Sequence, residues 1–261
     1  SLGIGVSACV DCVIENNVVI HEQAFGTTAI GVPSKNPGPG DAVTSGMTVR
    51  NNSIYVTSPE WGTGIRVDSE GAGHTIVSNA MEYGGTSDWW SCLEADLPAS
   101  SYDAIDYNVC GFAAGIWANW VGDLSDWQAL GWGAHSQAAN PGFTSAWDLS
   151  PVSTGAASVD AGHPTLSSPT DIYGNPRDSA PDAGAYEWGG GAACYDVTND
   201  DQVTIADVQA IAGRWHDPSQ YRFGYDAVPD GVIDVRDVMQ MAAHLGEQCQ
   251  SASASVRRPG D

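Results

Sequence analysis

Val13-Ile14-Glu15-Asn16-Asn17, Val49-Arg50-Asn51-Asn52, Ile76-Val77-Ser78-Asn79 and, more weakly, Ile105-Asp106-Tyr107-Asn108 share one form: a short strand that stops at asparagine. Between them runs a second signature, a strand built on Gly and Ile: Gly3-Ile4-Gly5-Val6, Ile30-Gly31-Val32, Gly64-Ile65-Arg66-Val67 and Gly115-Ile116-Trp117. The two alternate, and Ile4 and Ile30 lie 26 residues apart. Repetition at this period marks a solenoid, whose units bury their faces only by stacking on neighbours. Asparagine suits a repeated corner. It tolerates a left-handed backbone, and stacked amides can hydrogen-bond from one unit to the next.

The period is about that of one coil of a parallel β-helix with two or three short strands, and residues 1–188 are expected to form the last coils of such a solenoid. The longer spacings are assigned to inserted loops, Pro33–Gly46 and Gly84–Ser101, the second carrying Trp89, Trp90 and Cys92. An ordinary β-sandwich with Asn turns is the competing fold. Ser125-Asp126-Trp127-Gln128 has the form of a capping box and should start a short helix.

A loop-rich stretch follows: Asn140-Pro141, Ser150-Pro151, Asp160-Ala161-Gly162, Asp171-Ile172-Tyr173-Gly174-Asn175-Pro176-Arg177 and Pro181-Asp182-Ala183-Gly184-Ala185-Tyr186-Glu187. This order resembles the C-terminal end of right-handed parallel β-helix proteins of the choice-of-anchor Q family. The resemblance covers about residues 120–187 and implies that these motifs form the last coils.

Gly189-Gly190-Gly191-Ala192-Ala193 reads as a flexible linker. Beyond it the apolar period becomes helical. One helix should carry Ile205, Val208, Ile211, Ala212 and Trp215 along a face, and a second Val235, Val238, Met241, Ala242 and Leu245. Gly246 is placed to end the second. Ahead of each helix lies a twelve-residue loop rich in oxygen donors. The first, Asp196 to Asp207, places Asp196, Thr198, Asp200, Thr204 and Asp207 at positions 1, 3, 5, 9 and 12, with the Gln202 backbone carbonyl at 7. The second, Asp226 to Asp237, has Asp226, Asp230, Asp234 and Asp237 at 1, 5, 9 and 12 and the Val232 carbonyl at 7. Calcium takes six to eight oxygens, and this spacing wraps them about one centre. Val228 at position 3 offers no ligand, so the second site should be the weaker.

Two loop–helix units closing on Asp resemble a type I dockerin over residues 194–249. The resemblance implies a calcium-loaded pair that docks to a cohesin. Ile205-Ala206 and Val235-Arg236 replace the Ser/Thr usual at loop positions 10 and 11. That departure leaves packing on the chain's own β-helix as the alternative to cohesin docking; the expected partners are a cohesin-like domain or neighbouring copies of the same chain.

Acids outnumber Lys and Arg 32 to 9, a formal charge of −23, which argues against nucleic acid, anionic membrane and polyanionic sugars. No apolar run is long enough to span a membrane. No signal peptide is evident, so a mature or trimmed fragment is expected. Six cysteines in so acidic a chain suggest an extracellular setting, secreted or at the cell surface. Cys194 and Cys249 bracket the helical module and Cys92 and Cys110 flank an inserted loop; both are expected pairs. Cys9 and Cys12 need a turn to bond, or remain buried thiols. Asn51-Asn52-Ser53 is a glycosylation sequon, and Trp89 and Trp90 are candidate sugar-stacking side chains.

Catalytic motifs are weak. The acid pairs Asp103/Asp106 and Asp123/Asp126 read as turn and cap residues, and His135 and His163 as structural. The expected fold is mainly β: a right-handed parallel β-helix with a small α-helical calcium-binding dockerin-like domain, residue 250 onward forming a polar tail. The expected role is extracellular and non-enzymatic: structural, adhesive or assembly. The alternative is a polysaccharide-active enzyme carrying a dockerin.

Overall fold

A computed structural model describes residues 1–33, 38–68, 70–112, 116–118, 122–188, 197–198, 202–215 and 232–246. The chain divides into two compact units, Ser1–Ile172 with Arg177–Gly190, and Tyr173–Pro176 with Gly191–Asp261.

The first unit is built from three parallel sheets. One contains β1 (Leu2–Gly5), β4 (Thr27–Val32), β7 (Gly62–Val67), β10 (Trp90–Glu94) and β13 (Ile116–Ala118), in that order. The second runs β2 (Val13–Glu15), β5 (Thr48–Arg50), β8 (His74–Val77), β11 (Tyr102–Asp106). The third runs β3 (Val18–His21), β6 (Ser53–Val56), β9 (Ala80–Tyr83), β12 (Val109–Phe112). Each inner strand pairs with the strand three before it and the strand three after it, an arrangement compatible with a parallel β-helix. The register stacks like on like. Ile30, Ile65 and Leu93 align in the first sheet. Ile14, Val49, Ile76 and Ile105 align in the second. Val19, Ile54, Met81 and Cys110 align in the third. These rows point inward and form the core.

Each corner divides its work between two residues. Asn16, Asn51, Ser78 and Tyr107 take the left-handed backbone, with φ of 54°, 50°, 60° and 56°. The asparagine that follows each one builds a ladder. Asn17 Nδ2 donates to Asn52 Oδ1, Asn52 Nδ2 to Asn79 Oδ1 and Asn79 Nδ2 to Asn108 Oδ1, each at 2.9 Å. Ser136 Oγ ends the ladder by accepting from Asn108 N at 3.1 Å.

Two expectations change in this part of the chain. The stretch Gly84–Ser101 is not wholly an insertion, because it contains β10. Leu93 there fills the position held by Ile30 and Ile65 in the preceding strands of the sheet, so the Gly-Ile signature misses this strand. The helix near residue 125 is α1 (Leu124–Ala129), capped by Asp123, whose side chain accepts from Asp126 N. Ser125 instead donates to Asp123 Oδ1.

The motifs between residues 160 and 187 form no further coil among the described residues. They lie as a strap across the row of left-handed corners. His163 N donates to Ser78 Oγ, Ser168 N to Asn51 Oδ1, Gly184 N to Ser78 O and Ala185 N to Ser53 Oγ. Asn16 Nδ2 donates to Thr170 O at 2.9 Å. A strap rich in Gly, Pro and Asp cannot run a regular ladder, so side chains of the corner row satisfy its backbone.

The second unit packs α2 (Ile205–Ala212) with α3 (Val235–Ala243). Val203, Ile211, Ile233 and Met241 form its buried centre, with Val197, Val208 and Val238 around them. The helix faces are rotated from the expected ones. Ile205, Trp215, Val235 and Leu245 are exposed. Ala212 and Ala242 are exposed too. The closing aspartates of the loops, Asp207 and Asp237, occupy the buried side instead. Gly246, at φ 89°, follows the second helix, and its N–H donates to Val203 O at 2.8 Å.

Candidate functional site

The two helices begin alike. Thr204 caps α2 and Asp234 caps α3, and in each case the aspartate three residues on completes a capping box. Burial repeats as well. Residues 203–215 and 233–245 show the same sequence of buried, half-buried and exposed positions, 30 residues apart. Val203 matches Ile233, Asp207 matches Asp237 and Ile211 matches Met241.

The first loop brings three of its expected ligands together. Asp207 Oδ1 accepts from both Thr198 N and Thr198 Oγ1 at 2.9 Å. Its Oδ2 accepts from Thr204 N at 2.7 Å and Thr204 Oγ1 at 2.9 Å. Loop positions 3, 9 and 12 thus converge on one fully buried carboxylate. Burial pushes its pKa up, but the hydrogen bonds from Thr204 and Thr198 outweigh this and hold it below the usual value. An ionised carboxylate among hydroxyl oxygens is a hard donor set of the kind calcium takes.

The second loop is poorer. Asp237 Oδ2 accepts from Asp234 N at 2.6 Å. The Asp234 carboxylate, however, is held by Arg236, whose Nη2 lies 2.6 Å from Oδ2. A cation there competes with a guanidinium. Among the described residues no group of three or more His, Cys, Asp or Glu could hold a metal ion. Asp196, Asp200, Asp226 and Asp230 lie outside those residues, as do Cys194, Cys249, the 189–193 linker and the 250–261 tail. Gln202 is half-buried and Val232 exposed.

Cys92 and Cys110 are bonded, joining β10 to β12. Cys9 and Cys12 are bonded too, across a turn in which Asp11 takes φ 55°. The tryptophan pair separates. Trp89 is exposed at 64%, whereas Trp90 is fully buried with its ring stacked 4.7 Å from Tyr83. Its burial removes Trp90 as a sugar-stacking residue. Asn51 is likewise fully buried. It donates to Asp182 O and Gly184 O and accepts from Ser168 N, so a glycan on it is incompatible with the folded strap.

The acid pairs do local work. Asp123 caps α1. Asp106 Oδ1 accepts from Tyr107 N and His135 N, and its Oδ2 lies 2.7 Å from His135 Nδ1. His163 Nδ1 accepts from Leu166 N at 3.1 Å. Tyr107 touches both rings, stacked on His135 at 4.5 Å and edge-on to His163 at 4.8 Å. This cluster anchors the end of the strap row.

Comparison with protein-family models, curated proteins and solved structures finds no match to this chain. No helix among the described residues is long and apolar enough to cross a membrane.

Proposed function

We propose that this chain is an extracellular, non-enzymatic assembly module: a right-handed β-helix wall of the choice-of-anchor Q kind, followed by a dockerin-like, calcium-binding pair of helices that attaches it to a partner. The supporting observation is the 30-residue repeat of the second unit, in which each helix starts on a capping box whose aspartate is buried. In the first loop Asp196, Thr198, Asp200, Thr204 and Asp207 with the Gln202 carbonyl would hold the ion. In the second, Asp226, Asp230, Asp234 and Asp237 with the Val232 carbonyl would do so. Calcium supplies a fixed positive centre that lets several carboxylates stay ionised side by side.

The exposed residues Ile205, Trp215, Val235, Met239 and Leu245 make this unit more apolar at its surface than a solitary pair of helices needs. That supports a protein partner, a cohesin-like domain or a second copy. Calcium titration of the full chain followed by calorimetry tests the reading. Binding to the folded state alone adds about 2.7 kcal/mol at a hundredfold excess over Kd. The expected result is a transition that rises with calcium and falls with EDTA, and responds less to both in Asp207→Ala, which leaves only the weaker second loop. A transition unchanged by EDTA in the unsubstituted chain rejects the proposal.

A further inference from the structure

The outer face of the third sheet carries a second row beside the one under the strap. Ile20, Tyr55, Glu82 and Gly111 stand there in register. Gly111 lets the segment 138–140 cross over the sheet, since a Cβ at this position would sit 2.5 Å from Asn140 Cα. Cys110 N, donating to Gln137 O at 2.9 Å, holds the start of the crossing. Beside it opens a cleft of about 430 Å³ lined by Glu82, Gly84, Gly111, Phe112, Ala139 and Asn140. That size falls within the range of small-ligand pockets, about 300–1,000 Å³.

The polar groups of the cleft are aimed. Asn140 Oδ1 accepts from Gly142 N at 2.8 Å, which fixes the amide so that Nδ2 donates to Glu82 Oε1 at 2.8 Å. Glu82 Oε2 and the second Nδ2 hydrogen keep no partner among the described residues. The cleft therefore offers an acceptor and a donor side by side. Burial raises the pKa of the Glu82 carboxyl above the usual range, with the Asn140 hydrogen bond opposing it. The Tyr55 hydroxyl lies over Gly84, at the cleft's rim. An adjacent donor and acceptor match two neighbouring hydroxyls of a sugar ring. Uronates and sulfated sugars are disfavoured by Glu82 itself and by the chain's charge of −23.

We propose that this cleft binds one ring of a neutral saccharide. Glu82 Oε2 accepts from one hydroxyl and Asn140 Nδ2 donates to its neighbour. The site is independent of the calcium-binding reading, because all its residues belong to the first unit. The test is an array of neutral and acidic glycans probed with the full chain, followed by calorimetry on the best neutral oligosaccharide. At least one neutral glycan should bind, at least tenfold more weakly to Glu82→Gln and Asn140→Ala, and unchanged by Trp89→Ala or by EDTA. Amide shifts in the unsubstituted chain should then centre on Gly84, Gly111 and Phe112, a readout that holds even if a variant misfolds. Binding to no neutral glycan, binding to acidic glycans alone, or shifts centred elsewhere overturns the proposal.

Discussion

Asn52 is fully buried, yet its amide is fully used. Nδ2 donates to Ile14 O, Arg50 O and Asn79 Oδ1, and Oδ1 accepts from Asn17 N and Nδ2. Truncation to alanine strands buried partners on both sides, each worth about 1–3 kcal/mol. Asn52→Ala should therefore cost about 3–4 kcal/mol in urea unfolding, and Asn17→Ala, at the half-buried end of the ladder, clearly less. Equal losses would show that the ladder does not propagate. Asp182 makes a second residue-scale case. It is almost fully buried and accepts from Asp160 N and Trp188 N. Burial still raises its pKa from 3.8 to about 7, against the opposing pull of those bonds. The folded chain thus holds a proton that the unfolded chain releases near pH 4. Stability from this group is full below that pH and is lost as pH rises through about 7, by up to about 4 kcal/mol. Melts recorded from pH 4 to 8 should fall with pH, and Asp182→Asn should flatten that slope.

At the scale of elements, sequence signals differ in how closely they follow physical constraint. The corner asparagines were legible because few residues tolerate φ near 55° and fewer still can stack amides. The reading did not divide the two tasks, since Asn16-Asn17 and Asn51-Asn52 look like simple repeats. Only Ser78 and Tyr107, left-handed without being asparagine, reveal that the first position needs the turn and the second the ladder. Strand β10 was hidden because Leu93 satisfies the inward row without the Gly-Ile form. The faces of α2 and α3 were misplaced because a buried carboxylate breaks a purely apolar pattern: Asp207 and Asp237 occupy positions that periodicity assigns to aliphatics. The cleft at Glu82 left no signal, since it depends on Asn140, 58 residues downstream, in a crossing that Gly111 permits. The Cys92–Cys110 bridge also works at this scale, closing a stretch with a sequence separation of 18. Its replacement by two alanines should lower stability by about 3 kcal/mol, as expected for a loop of this length. Denaturant curves with unchanged slope would confirm that the folded state is otherwise intact.

Across the whole first unit, the strap joins coils that are far apart in sequence, and Arg177 is its central fastening. Nη1 donates to Glu187 Oε2 at 2.9 Å and to Tyr186 O at 3.0 Å, while Nη2 reaches Gly184 O at 2.7 Å and Asn16 Oδ1 at 3.1 Å. The guanidinium and Glu187 side chains are only 2% and 3% exposed. Glu187 in turn accepts from Asp178 N and Asp182 N. One buried ion pair thereby closes the strap on itself and pins it to the first coil, which no local interaction could do. Removing one partner from such a pair leaves an uncompensated buried charge and costs about 3–5 kcal/mol, whereas replacing both costs less. Arg177→Met should therefore destabilise by about 3–5 kcal/mol, and the double variant with Glu187→Gln should recover part of that loss. The effect should be local first. Hydrogen exchange should rise at His163, Ser168, Gly184 and Ala185, whose amides bond to the corner row, while the sheet amides of β6 and β9 stay protected. Uniform loss of protection would mean that the strap and the coils unfold as one, and that Arg177 stabilises the stack itself and not only its fastening.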